Sequence, residues 1–454
     1  MQKLFDEVSS LDKRCYDEYG LSEDILMEHA ANGLASHIRH KFPINSSVIM
    51  VCGSGNNGAD GIACARLLHG DYDVGIYYAK EPKSEMAKLQ QKRAEAVGVK
   101  VLCELYDADV IVDALVGTGF SGELSPKLSI LMDIMNDSTA YKIACDIPSA
   151  YAFYADVTLT MGALKKEMYL DAKKDFLGEV KVLNLGLSRD VYEVESSWNL
   201  LDISDMKLPS REKSNTHKGS FGHLSIASGN KVGASVLSAS SALRFGAGLV
   251  TLVGYEKEFV PPSIMYTHEV PQTSTALALG MGLGDDFSDK ELAKFLDNTL
   301  PLIIDADIFL MPILTDILKR DNLVLTPHPK EFVGLLKQIG LADISVEVLQ
   351  EDRFKYAELF CKNYPKTTLL LKGANVIIAH DAKFFVNPHG TAKLAKGGSG
   401  DVLSGLIGAL LAQGYGCLQA TINASLAHTQ LAKNYIGADF SLTPDDLIDG
   451  ICKL

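Results

Sequence analysis

Four stretches of this chain concentrate residues able to hold an anion or move a proton. Residues 53–61 read Gly-Ser-Gly-Asn-Asn-Gly-Ala-Asp-Gly, directly after an apolar run and before a helical pattern. Glycines let the backbone turn sharply and come close to a ligand. A helix start behind them offers unpaired N–H groups and a positive dipole to phosphate. The spacing is not the G-x-G-x-x-G of a dinucleotide fingerprint. A strand-to-helix turn without a ligand is the plain alternative, but a bare turn has no need of paired asparagines followed by Asp60. Two more apolar runs end in acids, one at Val112-Asp113-Ala114-Leu115-Val116-Gly117-Thr118-Gly119 and one at Cys145-Asp146-Ile147-Pro148-Ser149. The fourth stretch is Lys396-Gly397-Gly398-Ser399-Gly400-Asp401, followed by a long apolar helix pattern. Successive N–H groups at a helix start form an anion nest. An Asp beside it can take a proton from a hydroxyl while the nest stabilises a phosphoryl group in transit. Asp401 as a simple helix cap is the alternative, yet capping needs neither the glycines nor Lys396.

Further candidates sit at the ends of other apolar runs. Lys372-Gly373-Ala374-Asn375 follows one, and His328 lies in Thr-Pro-His-Pro-Lys-Glu, a stiff turn. Gly233-Ala234 opens a helix pattern, Gly280-Met-Gly-Leu-Gly284 ends a run, and Asp305-Ala-Asp307 ends another. Singly, His328 reads equally well as a structural histidine and Lys372 as a surface charge. Their shared position at run ends is what groups them.

The elements that must position these residues alternate. Apolar strand-length runs fall at 47–52, 73–79, 99–103, 109–114, 141–147 and 156–160, with helical patterns at 60–69, 84–97 and 124–137. Leu26, Ala30, Leu34 and Ile38 make one apolar helix stripe with Ser22 as its N-cap. Such alternation predicts a parallel sheet covered on both faces. In an open parallel sheet, ligands bind outside the carboxyl ends of the strands, so the acids should converge on one rim. Residues 196–219 lose the pattern and read as a linker. A second alternation then runs from 223, with strands at 223–228, 249–254, 276–280, 301–305, 323–326, 367–371, 375–379 and 383–386. Its helices fall at 233–246, 288–297, 329–338, 346–362, 400–413 and 417–435. The expected organisation is two α/β domains, 1–200 and 201–454.

Composition sets the class. The 454 residues are 47% apolar and 22% charged, which fits a globular fold and excludes a disordered chain. Lys plus Arg number 43 and Asp plus Glu 57, giving a formal charge of -14, which argues against general nucleic-acid binding. None of the eight cysteines forms a CxxC pair, and most lie in apolar runs, as expected of reduced core residues in a cytoplasmic protein. The first twenty residues carry no apolar signal core, and no membrane span is expected.

GSGNNGADG, VDALVGTG and DIPS, in that order, resemble the epimerase domain of bifunctional NAD(P)H-hydrate repair enzymes over most of residues 1–190. The resemblance implies a Rossmann-like fold in which Asn56, Asn57, Gly58, Ala59 and Asp60 line the hydrated dinucleotide. Gly117, Thr118, Gly119, Phe120, Ser121, Gly122 and Glu123 join them. It further implies that Asn57, Asp113 and Ser149 hold K⁺ and that Asp146 is the acid/base residue. Oxygen ligands suit such a hard cation. The family usually has Gly at positions 59 and 150, where this chain has alanine, and a longer loop after Ala150.

HKGSFGHL, LRFGAGLVT, GMGLG, DAD, LTPHPKE, LLKGANV and KGGSGDVLSG likewise resemble the ribokinase-like, ADP/ATP-dependent NAD(P)H-hydrate dehydratase over about 215–454. The resemblance implies that Ala234, Gly284, His328 and Asp401 contact the hydrated dinucleotide. Lys372, Gly373, Ala374, Asn375, Val376 and Gly400 are implied to contact the adenine nucleotide, with Mg²⁺ bridging its phosphates. Ser399 and Leu310 depart from the family pattern, which has Met and Asn there. The implied protein is a homo-oligomer with both activities, using NAD(P)H hydrate and ADP or ATP. Two rivals remain: a small-molecule kinase that releases a phosphorylated alcohol, and an N-terminal domain that serves only as a binding scaffold.

Overall fold

The computed structural model describes residues 1–120, 122–254, 260–284 and 287–454, apart from the side chain of Lys294. It divides into two compact units, Lys3–Ser196 and Met1–Gln2 with Ser197–Leu454.

In the unit Lys3–Ser196 a parallel sheet runs Lys100–Val101, Asp73–Tyr78, Ser47–Cys52, Val110–Ala114, Tyr141–Cys145, Val157–Met161, Glu179–Leu183. Strand order reverses between Ser47–Cys52 and Val110–Ala114, which pair with Val51 opposite Asp113. The connections from these neighbours lead to helices on opposite faces, Asn56–Leu68 and Pro126–Asp137, so a crevice opens at the carboxyl ends. The strands read as nearly continuous apolar runs because helices cover both faces, Glu23–Lys41 and Asn56–Leu68 on one and Pro126–Asp137 on the other. Ser22 caps the first of these as expected, accepting from Ile25 N at 3.3 Å. Outside this sheet, Gln2–Phe5 pairs in parallel with Leu164–Lys165, placing Phe5 opposite Lys165.

The second unit is also an α/β sheet, ordered Met265–Thr267, Leu249–Gly254, His223–Ser228, Ala276–Leu279, Leu302–Ile304, Leu323–Leu325, Thr367–Leu371, Val376–His380, Lys383–Asn387, Trp198–Leu200. Its core is led by the apolar helix Ser399–Ala412, packed with Val232–Arg244 and Cys417–Asn434. Two expectations change here. The sheet is mixed, because Val376–His380 pairs antiparallel with both of its neighbours. The turn Asp381–Ala382, both at positive φ, is too short for a crossover helix, so a hairpin results. The expected linker 196–219 begins with a strand: Trp198 is 3% exposed and stacks on Phe384 at 4.5 Å, pairing Trp198–Leu200 beside Lys383–Asn387. Among the described residues no helix is long and apolar enough to cross a membrane.

Candidate functional site

In the first unit the 53–61 motif is not all loop. The helix starts at Asn56, so Asn57, Gly58, Ala59 and Asp60 form its first turn, and no side chain caps it. The glycines answer a close approach of two loops. A Cβ on Gly53 would stand 1.8 Å from Leu115 O, and one on Gly58 would stand 2.1 Å from Gly53 O. Gly53 N donates to Ala114 O at 2.9 Å, tying the two strand ends at the switch point.

A cleft of about 970 Å³ opens there, lined among others by Asn56, Asn57, Asp60, Gly117, Thr118, Gly119, Phe120 and Asp146. Gly58, Ala59, Gly122 and Glu123 do not line it; Gly58 and Ala59 are buried behind its wall, while Gly122 and Glu123 are exposed. Ser121 lies outside the described residues. Asn56 Nδ2 donates to Glu23 Oε1 at 2.6 Å. Asn57 is different, since both its amide Oδ1 and Nδ2 are buried without a partner. A buried orphan amide is costly unless something else meets it.

Asp113 and Ser149 come together. Asp113 accepts from Ser149 Oγ at 2.6 Å, Ser149 N at 2.7 Å and Leu115 N at 3.1 Å, and Ser149 Oγ accepts from Val116 N at 3.0 Å. Burial still pushes the Asp113 carboxyl up to about 6, against those hydrogen bonds. The buried oxygens of Asn57, Asp113 and Ser149 fit a hard monovalent cation, which would offset the desolvation of Asp113. Among the described residues no cluster of three His, Cys, Asp or Glu side chains could hold a metal.

Asp146 stands at φ 71, a left-handed conformation that is costly for a non-glycine residue. Its Oδ1 accepts from Lys165 Nζ at 2.6 Å, Met161 N at 3.0 Å and Thr160 Oγ1 at 3.2 Å. Asp60 and Asp12 share the cleft. Burial, then the negative charge of Asp146, drives the Asp60 carboxyl well above its ordinary range. Asp12 is also raised by burial, although the Tyr192 hydroxyl donates to it at 2.8 Å.

The second unit gathers its candidates around the start of Ser399–Ala412. Gly398 is the N-cap at φ 88, and a Cβ there would stand 2.6 Å from Pro444. Asp401 is therefore the third helical residue, and no side-chain cap bond forms at this helix start. Gly400 faces Lys372, whose Nζ would lie 3.4 Å from a Cβ at that position. Lys372 Nζ donates to Asp305 Oδ1 at 2.6 Å, while Ser404, one turn along the Asp401 helix, donates to Asp305 Oδ2 at 2.7 Å. Burial, then the Asp305 charge, raises the Asp401 carboxyl to about 6, with Lys372 pulling the other way.

Ala234 packs by Gly282, and Gly284, at φ 60, donates its N–H to Asp307 at 2.9 Å. Asp307 also raises Asp401, so this wall belongs to the same neighbourhood. His328 is the N-cap of Pro329–Gln338: its Nδ1 accepts from Glu331 N at 3.2 Å and its N donates to Glu331 Oε2 at 2.8 Å. His328 is thus a helix cap, and burial first, then the Lys372 charge, lower its imidazole. Asn375 and Val376 are buried, whereas Ala374 is exposed.

A family model described as NAD(P)H-hydrate dehydratase matches residues 225–453, and one described as YjeF-related protein N-terminus matches 23–167. The bifunctional NAD(P)H-hydrate repair enzyme Nnr of Helicobacter pylori is 41% identical over all of both chains. The chain belongs to this family. The Coxiella burnetii enzyme of the same name is 33% identical over 91% of each chain. A ribokinase-like superfamily protein from Enterococcus faecalis shares the fold of the second unit, with a TM-score of 0.50, 20% identity and coverage of 57% of this chain and 96% of that one.

For this repair-enzyme family member, the structure puts beside the sites three residues to which the motifs assigned no role. Lys165 is paired with Asp146. Asp305 lies under Lys372 and, at 2% exposed, is almost closed to solvent. Arg353, 1% exposed, donates to Leu371 O, Lys372 O and Asn375 O and so bends the Lys372–Asn375 loop. Asp305 carried a signal in the Asp-Ala-Asp run. Lys165 and Arg353 carried none, since neither stands in a distinctive local pattern.

Proposed function

We propose that this chain repairs hydrated nicotinamide cofactors at two sites, an epimerase site in 1–200 and a dehydratase site in 201–454. Hydration of the C5–C6 double bond of NADH or NADPH leaves a C6 hydroxyl in two epimers. At the first site Asp146 moves the proton at that hydroxyl as R and S forms interconvert. The dinucleotide lies against Asn56, Asn57, Asp60, Gly117, Thr118, Gly119 and Phe120. Asn57, Asp113 and Ser149 hold K⁺, which supplies counter-charge to the buried Asp113.

At the second site Ala234, Gly284, His328 and Asp401 hold the S hydrate. Lys372, Gly373, Ala374, Asn375, Val376 and Gly400 hold the nucleotide. ADP is the proposed donor and ATP the alternative. Asp401 takes the C6 hydroxyl proton as the terminal phosphoryl group moves onto that oxygen across the helix N-terminus. Hydroxide is a poor leaving group and phosphate a good one, so phosphate then departs with its C–O electrons. Loss of a C5 proton restores the double bond. Mg²⁺ bound to the nucleotide would supply charge neutralisation on its phosphates. The homo-oligomeric state and cytoplasmic location belong to this same reading.

The observation that carries the proposal is the Lys372 ammonium set against Gly400, directly before the half-buried Asp401 at an uncapped helix start. The test is recovery of dihydronicotinamide absorbance from the S hydrate with ADP or ATP, together with release of phosphate. In Asp401→Asn, turnover is expected to vanish while nucleotide binding persists. A stable phosphorylated product would instead favour the kinase reading, and an undiminished Asp401→Asn would remove the base assignment.

A further inference from the structure

Lys165 has no role in the reading so far, yet its placement is specific. Its side chain is 2% exposed and its Nζ donates to Asp146 Oδ1 at 2.6 Å and to Thr160 Oγ1 at 2.7 Å. Parallel pairing of Leu164–Lys165 with Gln2–Phe5 fixes its backbone, and the cleft beside Asp146 fixes its direction. Among the described residues, every hydrogen bond to the Asp146 carboxylate falls on Oδ1, from Lys165, Thr160 and Met161. That leaves Oδ2 for the cleft that Asp146 lines.

A buried ion pair is weak evidence for stability, because desolvation offsets the attraction. Beside an acid/base carboxylate in a cleft it has a clearer use. Among the described residues, the titratable groups facing Asp146 from the surrounding elements are otherwise acids, phenols and a thiol: Glu7 and Asp12 from the N-terminal segment, Asp60 from Asn56–Leu68, Glu167, Tyr151, Cys145, and Tyr192 behind Asp12. The Lys165 ammonium, bonded to both Asp146 and Thr160, fixes the rotation of that carboxylate.

We infer that Lys165 is the positioning residue of Asp146: it clamps Oδ1 so that Oδ2 meets the substrate hydroxyl. This rests on the epimerase reading of the cleft. The experiment is steady-state epimerisation of a purified single epimer by the full chain in K⁺. Lys165→Met is expected to lower kcat about 100-fold, at the lower end of what a positioned acid/base group contributes, with KM within about twofold. The double variant Asp146→Asn/Lys165→Met is expected to be no slower than Asp146→Asn alone, because the lysine acts through that carboxylate. Lys165→Gln, which keeps a polar group there, covers the case in which the Met variant fails to fold.

A kcat within about threefold of wild type in the folded variant would overturn the inference. So would a loss confined to KM, or a double variant far below Asp146→Asn. These results leave wild-type epimerisation and its loss in Asp146→Asn standing, so the broader reading survives them. Absence of epimerisation by wild type would instead bring down that reading and this inference together.

Discussion

At the residue scale, the second site is a contest between burial and two charges at one carboxylate. Burial and Asp305 raise Asp401 to about 6, and Lys372 opposes them. A general base works only when deprotonated, so kcat/KM for dehydration is expected to rise with pH through about 6 and then level. Lys372→Met removes that opposing charge, so its acid limb should move to higher pH. Glu331, raised to about 7 chiefly by burial, feels Lys372 as well and would shift in the same direction. A pH series of both proteins at saturating nucleotide checks this, and an unmoved limb would separate the rate from Asp401. Legibility follows the same physics. Asp113 and Asp146 stand out in sequence because an acid ending an apolar run is chemically odd, and Asp401 because it closes a glycine-rich turn ahead of an apolar helix. Lys165 and Arg353 do not, since long-range partners alone give them meaning.

At the element scale, glycine-rich turns record backbone proximity. Gly53 is the sharpest case: a methyl group there would meet Leu115 O at 1.8 Å, where both atoms are main-chain or fixed to it. Gly53→Ala should therefore push the loops after Ser47–Cys52 and Val110–Ala114 apart, with an overpacking cost of about 1–3 kcal/mol. The expected outcome is a lower urea midpoint for the first unit and loss of epimerisation, with dehydration of the S epimer retained.

The sequence reading began the helix at 60, whereas it begins at Asn56. The reason is visible in Gly58 and Gly61, which look like loop residues but are small because neighbouring atoms crowd them. The 346–362 helix likewise breaks at Asp352, whose side chain caps Arg353–Asn363 by accepting from Lys355 N at 3.2 Å. That break presents Arg353 to the Lys372–Asn375 carbonyls. Arg353→Met would leave three acceptors short of donors, at about 1–3 kcal/mol for each one that stays buried. The nucleotide KM is expected to rise at least tenfold with the epimerase rate unchanged. Equal nucleotide KM values would show that the loop holds its shape without the guanidinium.

At the whole-molecule scale, each proposed site is built from residues of one compact unit. The 970 Å³ cleft takes all its lining residues from Lys3–Ser196, and the Asp401 neighbourhood takes its own from Ser197–Leu454. Strand-helix alternation made two sheets legible, but the strand at Trp198–Leu200 was not, because three residues carry too little pattern and one buried indole decides the matter.

Separate sites imply separable losses. With a mixture of R and S hydrates and excess ADP, the wild-type chain should consume both. Asp146→Asn should consume the S half quickly and then slow to the spontaneous rate of epimer exchange. Asp401→Asn should consume neither while still equilibrating the two. An equimolar mixture of the two variant proteins should restore complete consumption, because the S epimer made by one can diffuse to the other. Progress curves of dihydronicotinamide absorbance distinguish these cases. If the mixture stalls at the S half, one of the two variants has lost the activity assigned to its intact site, and that residue assignment falls.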